Sequence, residues 1–115
     1  MAVKSPTDRL DELLAFFELS PAQLAQMLGV PPLIVERWMA RESNPSGVNR
    51  REIERLAQLK DLLMTQFKGL STAAREWLKK PNAALGGHPP IEILRTRGPR
   101  EVLEYLEMPD EPAYA

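Results

Sequence analysis

Proline and glycine divide this chain into segments of helical length, all but one of them short. Pro21, Pro31-Pro32, Pro89-Pro90 and Pro99 each stand where a stretch of helical apolar spacing begins, and Gly29, Gly69 and Gly98 stand where one ends. Proline suits the first turn of a helix, whose N–H groups have no intrahelical partner. Glycine suits the left-handed residue that closes one. Alternation of period two is nearly absent and β-branched residues are few, so strands are not expected. The sequence therefore predicts an all-α fold of about seven helices.

Leu10, Leu13, Leu14 and Phe17 place a first helix over residues 8–19. Ser20-Pro21-Ala22-Gln23 starts a second, since Ser20 can cap it and Gln23 can complete a capping box. It runs to about Leu28 and stops at Gly29. Pro31 and Pro32 open a third helix that carries Val35, Trp38 and Met39. Asn44-Pro45-Ser46-Gly47 reads as a turn. A long helix follows from about Asn49 to Phe67, about 28 Å at 1.5 Å per residue. Ile53, Leu56, Leu63 and Phe67 line one face of it, and Leu59 and Leu62 widen the stripe. A monomer this small could hardly cover both edges, which points to a homodimer. After Gly69, Ser71 or Thr72 caps a helix through Trp77 to Lys79, which Pro81-Asn82 breaks. A short helix from about Pro90 to Thr96 stops at Gly98, and Pro99 begins a last one to about Glu107. The division is a helical N-terminal module with a long dimerisation helix over 1–68, a second helical module over 69–107, and an acidic tail over 108–115, expected to be flexible.

Composition narrows the function classes. With 115 residues, 43% of them apolar and 27% charged, the chain can build a core. It has no cysteine, which excludes disulfides and thiolate metal sites and fits a cytoplasmic protein. No apolar run approaches the roughly 20 residues of a membrane-spanning helix. The first ten residues carry Pro6 and Asp8 and lack the apolar stretch of a signal peptide. The net charge of −1 hides an asymmetry: residues 41–80 hold nine basic and five acidic side chains between two acidic ends. Such a centre reads equally as a nucleic-acid footprint or as a solvated, ion-paired helix.

Residues 21–40 have the spacing of a helix-turn-helix. Ala25 is small where two helices approach closely, Gly29 supplies the sharp turn, and Val35 and Trp38 return apolar contact from the second helix. The spacing resembles that of the Cro/Xre-like and MerR-like helix-turn-helix families. DNA readers place polar side chains at the start of the recognition helix. Here that position is Pro31-Pro32-Leu33, and Glu36 adds a charge that phosphates repel. The remaining candidates for DNA contact are Arg37, Arg41, Asn44, Ser46, Asn49, Arg50 and Arg51. The alternative is a trihelical unit that only packs and dimerises.

The segment from Arg75 to Leu94 is the most distinctive. Trp77 offers a large apolar surface and an indole N–H that needs a partner. Pro81 stops its helix, Gly86-Gly87 allow a tight turn, and Pro89-Pro90 stiffen the exit. Trp77-Leu78, Pro81-Asn82, Leu85-Gly86-Gly87, the following prolines, Ile93-Leu94, Thr96-Arg97-Gly98, Val102 and Tyr105-Leu106 come in an order that closely resembles the toxin-binding domain of the Xre/MbcA/ParS antitoxin family. The resemblance spans about residues 70–107. It implies a type II antitoxin whose partner is a RES-domain toxin that consumes NAD⁺. Such an antitoxin is expected to bind the toxin as part of a hetero-oligomeric complex, obstruct its nucleotide pocket and often repress its own operon by binding operator DNA.

Much of this segment also reads as core: Trp77, Leu78, Leu85, Ile93, Leu94, Val102 and Leu106. Gly86, Gly87 and Gly98 read as backbone geometry. The expected toxin-binding set is Trp77, Lys79, Lys80, Asn82, Leu85, Gly86, Gly87, His88, Arg95, Arg97, Arg100 and Tyr105. Its exposed polar members are the better contact candidates, joined by the tail, whose Glu107, Asp110 and Glu111 suit cationic groups in a nucleotide pocket.

Catalytic chemistry finds little support. His88 is the only histidine, so a multi-histidine metal site is excluded, and a loop hydrogen bond is its expected role. No serine has a nucleophile-elbow context. Glu52/Glu54 and Glu101/Glu104 read as solvated faces, and Glu76 with Lys80 as an ordinary helix pair. The two glycines lack the Lys-Ser/Thr of a phosphate loop. The chain is expected to be no enzyme and to need no cofactor, metal or membrane. The rival reading is a stand-alone helix-turn-helix transcriptional regulator.

Overall fold

The structure, a computed structural model, describes residues 9–108. In chain order these form α1 (Leu10–Phe17), α2 (Pro21–Leu28), α3 (Pro32–Met39), α4 (Gly47–Gln66) and α5 (Ser71–Lys79). A single 3₁₀ turn (Ala83–Leu85), α6 (Pro90–Arg97) and α7 (Arg100–Glu107) complete the chain. The fold is all-α. The tail expectation concerns residues that, beyond Met108, lie outside the described ones.

Local chemistry explains most boundaries. Ser20 Oγ accepts from the Gln23 N–H at 3.1 Å while Gln23 Oε1 accepts from the Ser20 N–H at 2.9 Å, the reciprocal capping box. Pro32 and Pro90 occupy first-turn positions. α1 is shorter than the expected 8–19, because Glu18 turns left-handed (φ 54°) and the Leu19 N–H bonds back to the Leu14 carbonyl. α4 starts at Gly47, two residues ahead of the apolar period, and its 20 residues span about 30 Å.

α4 is the spine. Ile53, Leu56, Leu59 and Leu63 along it are all 0% exposed. α1 packs on it and so does α7, so the chain itself covers most of the widened stripe. The sequence could not show this because α7 enters from nearly fifty residues away. Leu62 at the edge of the stripe and Phe67 at its end stay half-buried.

One apolar core runs through all seven helices. It includes Leu13 and Phe17 of α1, Leu24 of α2, Val35 and Trp38 of α3, Leu78 of α5, Leu94 of α6 and Val102 of α7. α2 packs against α6 as well as against α3. The N-terminal and C-terminal modules thus meet directly and share one interior. Polar ties follow the same seams. Arg9 pairs with Asp61 at 3.0 Å, Lys79 with Glu18 at 2.6 Å, and Gln58 donates to Glu107 at 2.9 Å.

Candidate functional site

The helix-turn-helix spacing folds as the sequence predicts. Ala25, Val35 and Trp38 are buried. Gly29 sits at φ 70°, and its N–H joins the closing hydrogen bonds of α2. The start of α3 is apolar and open to solvent, with Pro31 and Pro32 exposed and Leu33 at 54%. Arg37 and Arg41 lie at the far end of α3. Asn44 and Ser46 lie in the connection, and Asn49, Arg50 and Arg51 in the first turn of α4. All are exposed except Asn49, which is half-buried. Arg50 pairs loosely with Glu54 at 3.6 Å. The structure thus strings these candidates along one exposed stretch of chain, away from the apolar opening of α3.

The loop between α5 and α6 is organised by Asn82. Its side chain accepts from the Ala84 N–H at 2.9 Å. Its carbonyl accepts from Leu85 at 3.0 Å and from Gly87 at 2.9 Å, and its own N–H donates to the His88 carbonyl at 3.2 Å. Gly86 and Gly87 take φ of 73° and 81°, values that exclude most side chains at this doubled turn. Leu85 drops into the core at 8% exposure. Asn82, Leu85 and the two glycines therefore build the loop, whatever else they do. The loop hydrogen bonds of His88 come from its main chain; its imidazole is exposed, with Nδ1 3.7 Å from Glu92.

The basic candidates divide in two. Lys79 is held by Glu18, and this contact, as a hydrogen bond and as a charge, draws the Glu18 carboxyl below its ordinary range. Arg97 pairs with Glu101 at 3.2 Å on the surface. Lys80 and Arg100 are exposed at the end of α5 and the start of α7. Arg95 differs from these. It is half-buried, and its Nε has no hydrogen-bond partner. It stands between two clefts. One of about 280 Å³ is lined with His88, Glu92, Ile93, Thr96 and Arg97. Another of about 200 Å³ is bounded by Phe17, Glu18, Arg75, Lys79 and Ile91.

Trp77 and Tyr105 are brought together. Their rings lie 6.3 Å apart and nearly parallel at 12°. Phe67, which the sequence assigned only to the stripe of α4, joins them at 6.5 Å from Trp77. All three are half-buried. Sequence reasoning missed Phe67 as a member of this group, did not single out Leu70, and placed Met108 only in the tail. For Leu70 a signal existed: it precedes Trp77 by seven residues, two turns along the same helical face.

Residues 61–108 match the family model described as the antitoxin Xre/MbcA/ParS C-terminal toxin-binding domain. The match begins inside α4 and ends at Met108. No curated protein matches the sequence. Among solved structures, a chain in the crystal structure of the M. tuberculosis MbcT-MbcA toxin-antitoxin complex is similar, with a TM-score of 0.60 and 22% identity. The similarity covers 91% of this chain and 93% of that one. At that identity the likeness shows a shared all-α fold over nearly the whole length. The similarity to the toxin-binding domain of the Xre/MbcA/ParS antitoxin family extends over residues 61–108, from within α4 to the end of α7.

Proposed function

We propose that this protein is a type II antitoxin that neutralises an NAD⁺-consuming RES-domain toxin by binding it directly and obstructing its active site. The observation that carries the reading is the family match over residues 61–108, which takes in the Asn82-centred loop, the aromatic group and the cleft that Arg95 shares with His88 and Arg97. The solved chain of similar fold comes from a toxin-antitoxin complex, which supports a protein partner. Neutralisation of this kind needs a stable surface rather than a reaction centre, and the fully packed C-terminal helices supply one. The test is co-expression with a RES-domain toxin encoded beside this chain, followed by co-purification and an NAD⁺-depletion assay. Joint purification and preserved NAD⁺ are expected. Separate elution with continued NAD⁺ loss would defeat the reading.

A second role, operator binding, is supported by the well-formed α2–α3 pair and by the exposed Arg37, Arg41, Arg50 and Arg51. Autorepression would add to the antitoxin role. Salt-dependent binding to the chain's own promoter with no toxin partner would instead favour a stand-alone regulator.

A further inference from the structure

We infer that the aromatic group of Phe67, Trp77 and Tyr105, with Leu70 and Met108 at its edges, is the surface on which a toxin subunit seats. The inference rests on the antitoxin reading and deepens it by naming the face.

The rings come from three places: the C-cap of α4, the last turn of α5 and the last turn of α7. Phe16, Phe17 and Trp38, the other aromatic residues described, are buried at 3%, 1% and 3% exposure. Phe67, Trp77 and Tyr105 stay half-open although they pack on the same core. Their flanks are more open still. Leu70 is 64% exposed and Met108 62%, two of the four large apolar side chains exposed among the described residues. Leu70 caps α5 two turns before Trp77, and Met108 ends α7 three residues after Tyr105, so each falls near the helical face that carries a ring. The Leu70 N–H donates to the Phe67 carbonyl at 3.0 Å, and the Met108 N–H to the Tyr105 carbonyl at 3.3 Å. The surface is therefore apolar, drawn from three elements and, at its three rings, packed on the core before anything binds, which lowers the entropy lost on docking.

Trp and Tyr anchor protein interfaces because they bury much area and still offer a polar edge. Neither the Trp77 indole N–H nor the Tyr105 hydroxyl is taken up by another described residue. A partner that fits would present an apolar face with a hydrogen-bond acceptor near each edge. Nucleic acid does not fit, since the group carries no cation. All five residues lie inside 61–108, the segment matched as toxin-binding, while the other two exposed apolar residues, Leu33 and Val48, lie outside it. The occupant is accordingly the toxin, and Lys79, Lys80, Arg97 and Arg100 become rim rather than centre.

The test uses the full chain and the RES-domain toxin encoded beside it. Leu70→Glu and Met108→Glu change only exposed side chains, and circular dichroism checks that both variants fold. Leu33→Glu and Val48→Glu are matched controls outside the surface. Toxin affinity, measured by calorimetry, is expected to fall about tenfold or more for the first pair and less than about twofold for the controls. Should Leu70→Glu disturb the start of α5, Met108→Glu decides the matter alone. Unchanged affinity in Met108→Glu, or an equal loss in the controls, overturns the inference. So does altered self-association in sedimentation with toxin affinity intact, which would assign the face to a second copy. If the unsubstituted chain fails to bind the toxin, the antitoxin reading itself fails, and the two failures are told apart.

Discussion

The Arg75 Nε donates to the main-chain carbonyl of Phe16 at 3.0 Å, and its guanidinium lies 5.5 Å from the centre of the same residue's ring. Phe16 stands in the last turn of α1, where helix carbonyls have no partner of their own and favour a nearby cation. One side chain of α5 thus closes the end of a helix 59 positions earlier in the chain. Arg75→Ala is expected to cost about 1.5–3 kcal/mol, the range for a hydrogen bond with a charged donor. Arg75→Lys should recover little, since an ammonium lacks the planar face that lies against the ring. Urea denaturation reads both, and an unchanged midpoint in Arg75→Ala would contradict the account.

Gly98 should be far less replaceable than Gly29. Gly98 takes φ 87° with ψ −175°, a region nearly restricted to glycine, and a Cβ there would meet a Glu52 carboxylate oxygen at 3.4 Å. Gly29 takes φ 70° with ψ 32° and has open space around it. Gly29→Ala is expected to cost about 1–2 kcal/mol for the left-handed conformation alone. Gly98→Ala, in the costlier backbone region, is expected to exceed it, at about 2–3 kcal/mol. The reverse order in chemical denaturation would mean that the α6–α7 corner yields easily.

The Glu18–Lys79 pair predicts an acid dependence of stability. Lys79 holds the Glu18 carboxyl below its ordinary value of 4.5 in the folded chain. A depressed carboxyl contributes stability that is complete above that ordinary value and is lost as pH falls through the lowered one. The melting temperature of Glu18→Gln should therefore lie below that of the unsubstituted chain at neutral pH, and the two should converge in acid. The group is exposed, so the gap is small and should shrink further in high salt.

If operator DNA is bound, replacing Arg37, Arg41, Arg50 or Arg51 by Gln should lower the slope of log affinity against log salt by about one for each phosphate no longer neutralised. Toxin co-purification should survive each change, since these residues lie outside 61–108. Gel-shift titrations over a salt series on the chain's own promoter would measure it. A full set of unaltered slopes would remove these arginines from any DNA contact.

The parts of the fold legible in the sequence are those set by local chemistry. Ser20-Pro21 with Gln23, Pro90 and Gly98 each act within a few residues, so α2, α6 and the turn before α7 could be placed from the chain alone. The start of α4 could not, because Gly47 enters the helix at φ 57°, a conformation that no apolar period announces. Tertiary relations were hidden for a different reason. The packing of α7 on α4, the meeting of Phe67 with Trp77 and Tyr105, and the half-burial of Arg95 between two clefts all join residues distant in sequence. The expected toxin-binding residues form a single neighbourhood of chain. Its division into loop builders such as Asn82 and Leu85 and open groups such as Lys80 and Arg100 appears only once burial is known.

The packing of α2 on α6 has a consequence for inheritance. The stretch matched as a toxin-binding domain begins at residue 61, yet α6 rests partly on a helix that ends at Leu28. A recombination event that joined this C-terminal stretch to another N-terminal half would bring together two surfaces that had never adapted to each other. Substitutions on α2 and α6 are therefore expected to track one another among relatives, and the two halves to be passed on together. The boundary that sequence similarity draws across this chain is not one at which it can be cut.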